Sequence, residues 1–72
     1  MRLGDFQFLS QMLKARSGCV FTEDKAGLIE ARLLPLARSQ GAQDIAQLCH
    51  QLKAEPNEPL MVEMTEAMMN NE

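Results

Sequence analysis

No stretch of this sequence alternates apolar and polar residues as a half-buried strand must. Apolar residues recur instead at steps of three and four. Ile45, Leu48, Cys49 and Leu52 stand at i, i+3, i+4 and i+7 without a gap. Related spacings join Phe6, Leu9 and Leu13, with Met12 beside them, and Ile29, Leu33 and Leu36, with Ala26 and Ala37 at the edges. A fourth set is Leu60, Met64, Ala67 and Met68. Each stripe must be buried against another element, so four of them on short connections predict an all-α chain. The expected architecture is a compact four-helix domain with short loops and no sheet, one domain over residues 1–72.

Local signals set the expected boundaries. Asp5 is placed to cap the first helix, Lys14 and Arg16 suit its C-terminal end, and Gly18 suits the left-handed residue that closes it. The run Cys19-Val20-Phe21 reads as an extended apolar piece that tucks under the helices. Thr22 is placed to cap a second helix, with Glu23 and Asp24 favouring the positive end of its dipole, and Gly41 ends it. Asp44 opens a third helix. The run "AEPNEP" is a turn, from which Asn57 caps a fourth helix that tolerates Pro59 in its first turn. Pro35 lies inside the second helix, where a missing N–H and a crowded turn cost about 3 kcal/mol in a regular interior. A kink or a break near residues 31–35 is the expected response.

Composition narrows the function. Seventy-two residues with 46% hydrophobic content, three prolines and four glycines suit a folded domain, but one too short to hold a cofactor-binding sheet as well as its own core. Only Phe6, Phe8 and Phe21 are aromatic, too few for a base-stacking surface. The net charge of −3 also disfavours nucleic-acid binding. That charge is uneven: residues 1–41 hold six bases and four acids, residues 42–72 one base and six acids. Cys19 and Cys49 form no C-x-x-C pair and have one histidine for company, which makes no zinc site, so both read as buried free thiols. No signal peptide and no membrane-spanning run is present, and the chain reads as cytoplasmic.

No catalytic, cofactor-binding or metal-binding residue stands out. His50 falls opposite Ile45, Leu48 and Leu52 and should face solvent; Glu63 and Glu66 fall on an exposed helix face. The cations of the second helix are more informative. Lys25 and Arg32, seven residues apart, lie almost above one another at one margin of the apolar stripe, together with Leu28. Glu23 and Glu30 fall on the other side. That margin is either a solvated face whose aliphatic stems cover the core edge or a surface that grips an acidic partner. On a straight helix Arg38 lies well off the Lys25–Arg32 line, and a kink at Pro35 would change this. The fourth helix is rich in methionine, with Met61, Met64, Met68 and Met69; such residues fill cores, or mark a docking surface where they are exposed.

Taken in order, these residues resemble the N-terminal domain of the CheR family of chemotaxis receptor methyltransferases. The resemblance rests on Gly18-Cys19-Val20-Phe21, Lys25, Leu28-Ile29, Arg32-Leu33, Arg38 and Gly41, and on Met68 with the Asn71-Glu72 pair; it spans essentially the whole chain. It implies that the full-length enzyme transfers a methyl group from S-adenosylmethionine to glutamates on the cytoplasmic helices of chemoreceptors. A C-terminal catalytic domain would bind that cofactor and follow residue 72. By match, Lys25, Arg32 and Arg38 are the candidate receptor contacts; Met61, Met68 and Met69, from the methionine-rich fourth helix, are the candidate contacts with a neighbouring domain. The family's T-x-F-F-R segment near the cofactor would come after Glu72, so the 72-residue chain is not expected to bind cofactor or to methylate alone. Two departures stand out: Pro35 and Ala37 occupy positions where relatives often carry further bases, and Met69-Asn70 replaces a Thr-Thr or Thr-Asn pair. The alternative is a non-catalytic regulatory or interaction module that binds a signalling adaptor or its own catalytic domain.

Overall fold

A computed structural model describes residues 1–69. Helix α1 spans Leu3–Ser17, a single 3-10 turn spans Glu23–Lys25, and α2 (Ala26–Ser39), α3 (Ile45–Ala54) and α4 (Glu58–Met69) follow. Among the described residues all regular structure is helical, as the spacing predicts. Helix α2 is central: it packs on both α3 and α4, while α1 also touches those two helices.

The core is made by the stripes. Leu9, Leu13, Ile29, Leu33, Leu48 and Met64 are fully inaccessible to solvent, and Ile45, Cys49, Leu52, Leu60 and Met68 are nearly so. The second stripe is shifted from the expected one. Ala37 is fully buried and Leu36 only half-buried, because Ile29, Leu33 and Ala37 follow strict four-residue steps along the row facing α3 and α4. A basic residue in place of Ala37 would be buried without solvent, so of Pro35 and Ala37 only Pro35, which is exposed, stands at a surface position.

Helix α1 starts two residues before the expected cap: the Phe6 amide donates to the Arg2 carbonyl at 3.0 Å, which leaves Asp5 inside the first turn, where its charge favours the dipole. Gly18 closes α1 at φ 78°, its amide donating to the Lys14 carbonyl at 2.8 Å. Thr22 does not cap through its side chain. Its carbonyl accepts from the Lys25 amide at 2.8 Å, while its hydroxyl donates to the Asp24 carboxylate and holds that carboxyl below its usual range. The helix therefore opens through a 3-10 turn and becomes α-helical at Ala26.

Past α2, Gly41 adopts φ 85° and donates to the Arg38 carbonyl at 3.1 Å; Ala42 donates to the Ala37 carbonyl at 2.9 Å. These two bonds are the paired closure that needs a left-handed residue after a helix. Asp44 then accepts from the Gln47 amide at 2.9 Å, and the Gln47 side chain accepts from the Gln43 amide at 2.7 Å. Asn57 accepts from the Leu60 amide at 3.2 Å. Helix α2 runs unbroken through Pro35, so the proline does not split it. Pro35 and Ala31 are both exposed, and water can serve the Ala31 carbonyl that the proline leaves without a donor.

The two cysteines differ. Cys49 is buried against α1, and desolvation, followed by the nearby Asp5 carboxylate, pushes its thiol up to about 12. Cys19, expected to be buried, is exposed, as is Val20, and only Phe21 of that run packs against the core. Four helices already fill the interior, so the connecting segment lies over it. In the native protein a thiol reagent should therefore modify Cys19 alone, and both thiols in denaturant. Because the folded Cys49 holds its proton past the pH at which the unfolded thiol ionises, stability should fall as pH rises from about 9 towards 12. Cys49→Ala should remove that part of the alkaline loss, as read by urea midpoints taken across the same range.

Candidate functional site

Lys25 ends the 3-10 turn with an exposed side chain, and Arg38 lies exposed in the last turn of α2, where its charge also suits the dipole. With α2 continuous, Arg38 is turned about 120° round the axis from Arg32, at roughly 100° per residue. The two cations therefore lie on different sides of one helix.

Arg32 is placed differently from both. It is half-buried, and its Nη1 donates to the Ala67 carbonyl at 3.2 Å. Ala67 sits in the last described turn of α4. Helix α4 has no basic residue of its own in that turn. The residue expected to meet a receptor is thus engaged with a neighbouring helix.

The methionines divide similarly. Met68 is buried in the domain's own core and presents no surface. Met61 is half-buried, and its Sδ accepts from Arg16 Nη2 at 3.4 Å. The same guanidinium pairs with the exposed Glu58 carboxylate and holds it below its usual range. Met69 is 41% exposed, with its Sδ 3.7 Å from Cys19 Sγ; Val20, beside Cys19, is 69% exposed. Cys19, Val20 and Met69 so form an apolar spot beside the end of α4, which sequence periodicity could have flagged only for Met69. The Asn71-Glu72 match and the Asn70 departure lie outside the described residues.

Elsewhere, a shallow groove of about 630 Å³ runs between the end of α3 and the start of α4, lined by His50, Glu55, Asn57 and Glu58 among others. His50 is exposed, as its helical position predicts. Lys53 lies over the Phe8 ring, 5.1 Å from its centre, and ties α3 to α1. Among the described residues no three His, Cys, Asp or Glu side chains gather as metal ligands, and no helix is long and apolar enough to cross a membrane.

The chain is thus an all-α domain whose distinctive polar features, an exposed cation at each end of α2 and a guanidinium tie from α2 to α4, offer surface and support. The sequence model of the CheR methyltransferase all-alpha domain matches residues 4–69, and the chain belongs to that family. The match runs through all four helices. No curated protein and no solved structure matches the chain significantly.

Proposed function

We propose that this domain is the N-terminal substrate-recognition part of a chemoreceptor glutamate methyltransferase acting in bacterial chemotaxis. The observation that carries the reading is the family match across the whole helical unit. A catalytic domain following it would bind S-adenosylmethionine and transfer the methyl group. This domain would bring acidic receptor helices to that centre in the cytoplasm. Lys25 and Arg38 are the cations that α2 leaves exposed for such a partner. Their contribution is to encounter and register: exposed charges steer an acidic helix at long range, and salt screens them.

The test is charge reversal at Lys25 and Arg38 together in the full-length enzyme, with receptor methylation followed at low and at moderate salt. Receptor KM should rise about tenfold at low salt, and the difference should shrink as salt increases. Methylation that is unchanged at both salt levels overturns the contact role. A second reading, an interaction module without receptor contact, is favoured by the exposed Cys19, Val20 and Met69. Isotope-labelled titration separates the two readings. Receptor fragments should shift residues 25–38 in the first, whereas an adaptor or the catalytic domain should shift only residues 60–69 in the second.

A further inference from the structure

We infer that Arg32 is a positioning residue, which fixes the last turn of α4 to α2 and so sets the direction in which the chain leaves the bundle. Two independent observations converge on it. The Arg32 guanidinium donates to the Ala67 carbonyl from a half-buried position 35 residues away in sequence. Among the described residues α4 places no base of its own in its last turn, where a cation favours the negative end of a helix dipole. Arg32 supplies that charge from α2, and its planar fork can satisfy more than one acceptor in a fixed geometry, which an ammonium cannot do. The buried Met64 and Met68 pack the inner face of the same turns, so the polar tie and the apolar contact act on one helix end. The functional consequence rests on the reading above: whatever is joined to α4 inherits its orientation from the helix that carries Lys25 and Arg38.

The first arm needs no receptor. In the 72-residue chain, amide hydrogen exchange over residues 66–69 is compared among the unaltered protein, Arg32→Gln, Arg32→Lys and Lys25→Glu. Arg32→Gln should speed exchange there by about three- to tenfold, and Arg32→Lys by at least about twofold. Lys25→Glu should leave it unchanged. Protection in Arg32→Gln equal to that of the unaltered chain overturns the proposal, provided the core amides of α3 remain protected. If Arg32→Gln loosens α3 as well, Arg32→Lys alone decides.

The second arm is kinetic and uses the full-length enzyme. Arg32→Lys keeps the charge and loses the fork, so kcat should fall while receptor KM and its salt dependence stay as they were. If Arg32→Lys instead behaves as the unaltered enzyme and Arg32→Glu raises KM steeply with falling salt, Arg32 is a receptor contact and the positioning role is wrong. A protein that methylates no receptor would sink the functional reading alone, because the exchange arm would still decide the role of Arg32.

Discussion

Leu33→Ala should leave the domain largely unfolded at room temperature. Leu33 is fully buried at the centre of α2, the helix that packs on both α3 and α4. Truncating a leucine in such a place costs about 3 kcal/mol, from lost transfer free energy plus the cavity left between partners that cannot close on it. A domain of this size, with two free cysteines and no disulfide among its described residues, has a total stability of only about 3–5 kcal/mol. The loss is therefore comparable to the whole margin. Urea titration followed by helical circular dichroism is the check: the unaltered chain should show a native baseline, and the variant should show little or none. A midpoint lowered by less than a quarter would mean that α2 is far less central than its burial indicates. Leu28→Ala, at an exposed position of the same helix, should change the midpoint little.

The second large effect comes from backbone rather than packing. Gly41→Val should destabilise the fold by about 2 kcal/mol, because a β-branched residue strongly resists the left-handed region that Gly41 occupies at φ 85°. Nothing lies within 4 Å of a Cβ added there, so the strain is in the backbone and not in a clash. The two bonds closing α2, from Gly41 to Arg38 and from Ala42 to Ala37, depend on that conformation. Gly27 gives the contrast in the same titration. It lies within α2 with open space around it and an ordinary helical backbone, so Gly27→Ala should raise stability by up to about 1 kcal/mol. Neutral behaviour of both substitutions would show that neither glycine's backbone conformation bears on stability.

The sequence was most legible where one local signal and one uninterrupted stripe agreed. Helix α3 is the clearest case, since Asp44 caps it and Ile45, Leu48, Cys49 and Leu52 are all buried. The start of α1 was not legible because Leu3, 56% exposed, adds nothing to an apolar pattern, and the Phe6–Arg2 backbone bond leaves no side-chain mark. Ala37 was underrated beside Leu36 because size suggests burial, whereas the row of contacts selects position along the helix. Cys19 and Val20 show the opposite case: an apolar run suggests core, yet helices already fill the interior and both residues are exposed. In the candidate site, the exposure of Arg38 follows from its place off the apolar stripe, whereas spacing puts Lys25 and Arg32 at one margin and does not separate the exposed lysine from the half-buried arginine. The Arg32 tie was not legible, because its acceptor is a main-chain carbonyl that carries no residue-type signature and lies far along the chain.

The way each helix is opened and closed has a kinetic consequence. Gly18, Gly41, Asp44 and Asn57 stop or start helices with groups only a few residues away, and the connections between elements are short. Helices can therefore begin to form before their distant partners arrive, and chain closure between neighbours costs little entropy. Helical domains with such local wiring reach the native state in about microseconds to milliseconds. The slow search that sheets require, for a partner far along the chain, is largely absent. What remains for the collapse is to dock helices whose ends are already specified.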